Sequence, residues 1–142
     1  MTLNKSSRIG LQAVVMMADA PGERVSAATV AQTFEASEDH VAKVLQQLVR
    51  AGICEGQRGA HGGYKLVADP RKLTMFDVVE ALEGPVDRAE SAEPTPSHPA
   101  SLAIAGVLDE ISQYAWTTLR SVTIATLAST PVRRVGHPGF AP

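Results

Sequence analysis

The chain has 142 residues, 44% of them hydrophobic, 20% charged and 4% aromatic, a size that suits one domain carrying an accessory helix and excludes a large two-domain enzyme. Thirteen Lys and Arg stand against fifteen Asp and Glu, for a formal net charge of -2, so bulk electrostatics draws neither nucleic acid nor an anionic membrane and any DNA site has to be locally basic. The single cysteine, Cys54, excludes an internal disulfide and any zinc or iron-sulfur centre built from several thiolates of one chain, and it fits a reducing compartment.

An apolar run from Ile9 to Ala20 follows Lys5 and Arg8, and Ala18-Asp19-Ala20 imitates a signal-peptidase site. Gly10 and Gln12 interrupt the run, which is far shorter than the ~20 apolar residues a bilayer crossing needs. A core helix from about Ser7 to Ala20, stopped by the Pro21-Gly22 turn, is the preferred reading, with the cytoplasm as its address and no membrane partner. Ser26 caps a short second helix carrying Ala27, Val30, Ala31 and Phe34 at helical spacing.

The third helix has the clearest pattern: Val41, Val44, Leu45, Leu48 and Val49 align on one face, Ser37 caps the start, Glu38 and Asp39 complement the positive end, and Gly52 ends it. Only Glu35 to Ser37 separate the second and third helices, a spacing that fits a helix-turn-helix but is shared with many all-helical domains.

From Ile53 two strand-like segments flank the tip Gly59-Ala60-His61-Gly62-Gly63, with Arg58, His61 and Lys65 around it and no acid between Glu55 and Asp69. An ordinary hairpin turn explains this alone; next to a helix-turn-helix, a wing that brings backbone amides and an arginine to phosphates or a narrow minor groove is preferred. The cluster is no Walker loop, since G-x-x-x-x-G-K-[ST] is missing.

Thr74 caps a short helix through Met75, Val78, Val79 and Leu82, ending near Gly84. Residues 85–100 hold four prolines and no large apolar residue except Val86, and read as a mobile linker. Ile104, Leu108, Ile111, Ala115, Thr118 and Val122 then follow 4-3-4-3-4 spacing on a helix expected from about Ser101 to Arg120. That stripe meets the same helix of a second chain in a two-fold dimer, unless the helix folds back on its own domain. Thr123 to Ser129 makes a short last helix, and residues 131–142 read as a disordered tail. The fold class is therefore mainly α with a small β-hairpin wing: a winged helix-turn-helix over residues 1–84, the linker 85–100 and a dimerisation region 101–130.

The order of elements and the string L-V-R-A-G-I-C-E-G-Q-R-G-A-H-G-G-Y-K-L-V over Leu48 to Val67 resemble the Rrf2 family of bacterial winged helix-turn-helix transcription regulators. Its marks are an A-G-[IL]-[VC] exit from the recognition helix, an R-G-x-x-G-G-Y wing and a D-V-[VI]-x-A-[VL]-[ED]-G helix, here Asp77 to Gly84. Val122 to Leu127 is similar to the family's T-L-x-x-L close, and the likeness covers residues 3 to 128. The resemblance implies a homodimer that binds double-stranded DNA and inserts the wing arginine, Arg58, into the minor groove. One departure is plain: the sensing branch holds an iron-sulfur cluster on three cysteines before the dimerisation helix, whereas residues 85–100 have none, and Arg8 stands where an acid is sometimes a ligand.

No cofactor or metal is expected, and a repressor on an inverted-repeat operator is the function read from the chain. Candidate DNA contacts are Ser37, Asp39, His40 and Lys43 on the third helix, Arg58, Gly59, His61, Gly62, Gly63 and Tyr64 on the wing, and Lys5, Ser7 and Arg8 before the first helix turns inward. Gln47 shares that polar face, and Gln46 and Arg50, further along, are expected to touch backbone or solvent. Ile104, Leu108, Ile111, Ala115 and Val122 form the expected dimer seam. Cys54 is either a buried structural thiol or a redox switch under the wing. His98 and His137 lack the neighbours a metal site needs. An unknown small-molecule effector is the open input. A winged-helix protein-interaction module is the competing function, and a catalytic reading finds no Ser-His-Asp order or paired carboxylates.

Overall fold

The computed structural model describes residues 3–85 and 97–129. Helix α1 spans Lys5–Asp19. It starts earlier than Ser7 because Asn4 is the cap, its Oδ1 accepting from Ser7 N at 2.8 Å. Helix α2 spans Ala27–Thr33, with Ser26 Oγ accepting from Thr29 N at 3.0 Å. Helix α3 spans Glu38–Arg50 behind Ser37, and its buried Val41, Val44, Leu45 and Leu48 are the predicted stripe. Gly52 follows at φ 76°, the left-handed backbone that a glycine past a helix end supplies without strain.

The turn between α2 and α3 is built without glycine. Glu35 takes φ 53° so that Ala36 N can donate to Ala31 O at 2.9 Å. A side chain in that region costs on the order of 1 kcal/mol, and it is tolerated because the helix pair on either side fixes the turn.

Strands β1, Cys54–Gln57, and β2, Gly63–Leu66, form the hairpin, with Cys54 opposite Leu66 and Gln57 opposite Gly63. Val25, in the loop between α1 and α2, pairs with β2: its N donates to Tyr64 O and its O accepts from Tyr64 N, both at 2.8 Å. The hairpin is thereby tied to the helical body through its second strand, which lies between Val25 and β1.

Helix α4 spans Met75–Glu83 under a reciprocal cap, in which Thr74 Oγ1 accepts from Asp77 N and Asp77 Oδ2 accepts from Thr74 N. Helix α5 spans Pro99–Ser121, about 35 Å long at 1.5 Å per residue. It begins inside the expected linker because His98 caps it, Nδ1 accepting from Ala100 N at 3.1 Å, and proline suits the first helical position. The short helix α6, Ile124–Ser129, packs on α1. The rest of the expected linker, 86–96, and the expected tail, 131–142 with His137, lie outside the described residues.

One apolar cluster joins α1, α3, α4, the base of β1 and Ile124. Helix α5 barely enters it: Leu119 is its one buried side chain among the described residues, while Leu102, Ile104, Val107, Leu108, Ile111 and Tyr114 are each about half or more exposed. Its contact with its own domain among the described residues is chiefly with α4. Val122, expected in the seam, instead ends the helix half-buried against α4, its carbonyl accepting from Met75 N at 2.9 Å. Among the described residues no helix is long and apolar enough to cross a membrane.

Candidate nucleic-acid interface

The apolar stripe of α3 faces the core, which turns its other face outward. Ser37, Asp39 and Lys43 are exposed there, with Gln46, Gln47 and Arg50 further along, and His40 is half-buried. His40 Nε2 and Ser6 Oγ share a hydrogen bond of 3.4 Å, which sets the first turn of α1 against the first turn of α3. Lys5 and Arg8, both exposed, flank that junction on α1. Ser6 carried no sequence signal beyond its place beside them.

On the wing, Glu55 bridges two cations. Lys65 Nζ lies 3.1 Å and Arg24 Nη2 3.2 Å from its Oε1. The Lys65 ammonium, with Arg24 beyond it, holds the Glu55 carboxyl below the usual carboxylate range. Lys65 is thus paired, in a trio that keeps one net positive charge, although its position near the tip had suggested a free charge. Arg24 was missed because it lies thirty-one residues from its partner and no local pattern announces it. Lys5, Arg8, Lys43, Arg50 and Arg58, by contrast, have no carboxylate within ion-pair reach among the described residues.

The glycines of the tip do two different jobs. Gly59 is open, at φ 109°, with space where a Cβ would stand. Gly62 is not: a Cβ there would run into the Gln57 carbonyl, and its amide already donates to Gly59 O at 2.9 Å. Its expected role as a phosphate donor is corrected to a turn-closing one. Gly63, at φ 133°, lets β2 approach the Val25 carbonyl, which a Cβ would meet at 2.9 Å. Both backbone groups of Tyr64 are consumed by Val25, and its half-buried ring lies over Gly56, so it braces the hairpin. Arg58 and His61 are exposed at the tip. A cleft of about 320 Å³ runs between helix and wing, lined by Gln46, Arg50, Gln57, Arg58 and Tyr64 among others.

Two further expectations change. Ser7 is fully buried, and its Oγ donates to Glu83 Oε1 at 2.6 Å, so it ties α1 to α4 and cannot touch a phosphate. Asn4 N donates to the same oxygen at 3.2 Å. Cys54 is buried at the root of β1, its Sγ donating weakly to Met17 Sδ at 3.9 Å, and burial pushes its thiol up to about 12. A thiol so rarely ionised is a packing group, and of the two readings of Cys54 the structure carries the inert one.

A helix pair whose second member shows a polar face with free cations, followed by a two-stranded hairpin with an arginine at its tip, defines a winged helix-turn-helix. Residues 3–130 match the Rrf2 family, described as iron-dependent transcriptional regulators. The chain is 41% identical over 128 residues to BadM of Rhodopseudomonas palustris, named as an HTH-type transcriptional regulator, covering 89% of this chain and 81% of that one. It is 34% identical over 94 residues to the HTH-type transcriptional regulator CymR of Bacillus subtilis, covering 66% and 68%. The solved structure of B. subtilis CymR superimposes with a TM-score of 0.76 at 28% identity, over 91% of this chain and 97% of that one. That of T. potens IscR does so with 0.71 at 26%, over 89% and 85%. The protein belongs to the Rrf2 family and is a DNA-binding transcriptional regulator.

The family description names iron, and the donor set of this chain does not fit a thiolate-held centre. Its one cysteine is the buried Cys54. Among the described residues no three His, Cys, Asp or Glu side chains converge, and at the first turn of α1 the exposed Arg8 offers a cation where a ligand would need a lone pair.

Proposed function

We propose that the protein is a cluster-free repressor that binds an inverted-repeat operator as a homodimer in the cytoplasm, with α5 as its dimerisation rod. The observation that carries this reading is the pairing of two unsatisfied surfaces. Among the described residues, five cations without a carboxylate partner surround α3 and the wing in a chain whose net charge is negative, and the stripe Ile104, Leu108 and Ile111 on α5 stays exposed.

In this reading α3 lies in the major groove. His40 and Lys43 donate to guanine edges or phosphates, and Ser37 and Asp39 line the leading turn. Lys5 and Arg8 hold the backbone beside it. Arg58, carried by the Gly59 turn with His61 next to it, enters the flanking minor groove, whose negative potential favours a guanidinium. Two-fold symmetry puts the half-sites roughly 34 Å apart, or a multiple of that. Occupying such a site excludes other proteins from it, which is the simplest route to repression. Catalysis has no part in this reading, in keeping with relatives named as regulators.

The test is selection of duplexes from a random pool by the purified chain, with sedimentation of the free protein and a reporter under the selected operator. A dimer that enriches an inverted repeat and lowers reporter output is expected. A monomer, or enrichment of an unrepeated site, would refute the proposal.

A further inference from the structure

The rod and the reading head meet at one joint. Its backbone part is short: Met75 N donates to Val122 O at 2.9 Å, Ile124 N donates to Leu73 O at 2.8 Å, and Thr74 pairs with Thr123. These contacts fix the end of α5 in place, but they sit at a single point beyond its last turn and do not by themselves fix its tilt.

The tilt is held by side chains. Phe76, in the first turn of α4, receives two residues of α5 that stand one turn apart. Trp116 meets its ring edge to face, with centroids 6.0 Å apart and planes at 85°. Arg120 places its guanidinium carbon 4.2 Å from the centroid of the same ring. Positions i and i+4 share a helix face, so the phenyl ring is gripped at two heights along the rod. Leu119 is buried beside them. Arg120 has no carboxylate partner among the described residues, so the ring is the one interaction that holds this otherwise exposed cation.

We propose that the Phe76–Trp116–Arg120 clamp sets which half-site spacing the dimer accepts, by fixing the angle between the dimerisation rod and the winged domain. The inference rests on the reading of α5 as a dimer rod. Leu108, near the middle of the exposed stripe, lies about 15 Å along the helix from the clamp. A tilt of about 10° over that arm displaces each head by about 2.6 Å, so the separation of the two heads changes by up to about 5 Å, between one and two of the ~3.4 Å steps between neighbouring base pairs. A small change at the clamp is therefore large enough to favour a neighbouring spacing while α3 and the wing keep their own contacts with each half-site.

Half-sites obtained by wild-type selection would be placed in duplexes whose centre-to-centre separation changes one base pair at a time, and affinities measured for wild type, Arg120→Ala, Trp116→Leu and the conservative Arg120→Lys and Trp116→Phe. The wild type is expected to prefer one separation over its neighbours. Arg120→Ala and Trp116→Leu should flatten that preference about two- to tenfold, the range that one cation–π or aromatic contact supports. Binding to a single half-site should stay unchanged, and the conservative substitutions Arg120→Lys and Trp116→Phe should restore the preference.

A wild-type spacing profile in both disruptive variants would overturn the proposal, and so would an affinity loss equal at every spacing, the mark of a merely structural role. Wild-type protein that is monomeric, or that binds no duplex, would instead refute the dimeric reading beneath it and the clamp with it.

Discussion

Replacing Ser7 by alanine separates the buried tie seen in the structure from the phosphate contact expected from the sequence. Ser7 is fully buried, and its hydroxyl donates to the Glu83 carboxylate at 2.6 Å. A hydrogen bond to a charged acceptor contributes about 1.5 to 3 kcal/mol. Glu83 is exposed and keeps the Asn4 amide at 3.2 Å, so after the substitution its oxygen rehydrates instead of being stranded. The loss should fall at the low end, about 1 to 2 kcal/mol, with no cavity beyond one oxygen atom. For a chain of this size that lowers the melting temperature by about 2 to 8 °C. Circular dichroism melts of Ser7→Ala and Glu83→Gln would measure it, with Glu83→Gln between wild type and Ser7→Ala because it keeps an acceptor but not the charge. Fluorescence anisotropy at about 20 °C, where both variants remain folded, should show operator affinity within about twofold of wild type. An unchanged melting temperature together with a roughly tenfold loss of DNA affinity would refute the reasoning and return Ser7 to the DNA face.

Arg58→Ala should weaken operator binding by about 1 to 3 kcal/mol without changing the melt, as titration at fixed salt would show; equal affinity would remove the wing arginine from the minor groove. Glu55→Gln releases Lys65 and Arg24 from their shared carboxylate and should raise duplex affinity and steepen its salt dependence by up to about one unit in log–log slope. Because the Glu55 carboxyl is held below its ordinary range in the folded chain, its contribution to hairpin stability is present above the unfolded value and lost as pH falls through the folded one, so acid melts of wild type and Glu55→Gln should converge at low pH. For Cys54 the sign is opposite: a thiol pushed up to about 12 favours the protonated folded state, so its contribution declines as pH rises above about 9, and Cys54→Ala should flatten the alkaline limb of the stability curve. Native alkylation at about pH 8 should be about a thousandfold slower than in denaturant, and peroxide should leave operator binding unchanged; rapid native labelling would contradict the packing role.

Most of the fold was legible because its elements are written in local chemistry. Ser26, Ser37 and Thr74 each cap the helix they precede, and the α3 stripe buries Val41, Val44, Leu45 and Leu48 as its spacing requires. What local pattern misplaced depends on residues distant in sequence or on caps set apart from the apolar run they serve. Asn4 started α1 ahead of the apolar run, and His98, set aside as a metal ligand for want of neighbours, is a helix cap. The α2–α3 turn hid its left-handed residue because Glu35 stands where a glycine would have advertised it. Val25 joined the hairpin through two backbone hydrogen bonds, and backbone pairing by a single residue leaves no mark on the side-chain pattern.

The site was less legible than the fold because exposure and charge pairing are three-dimensional properties. Charge counting along the chain treats Lys65 and Arg58 alike, as basic residues close to a glycine tip. In space one is paired with Glu55, across the hairpin from it, and the other has no carboxylate partner among the described residues. The same distinction separates Ser7 from Arg8, adjacent in sequence but on opposite sides of a helix face, one sealed against Glu83 and the other open to solvent. A chain with net charge -2 can attract DNA only where its cations stand clear of its acids. The wing shows how this is done. Glu55, the acid nearest the tip, faces Lys65 and Arg24 at the hairpin base, so its charge is cancelled locally and Arg58 at the tip keeps its full attraction for phosphate.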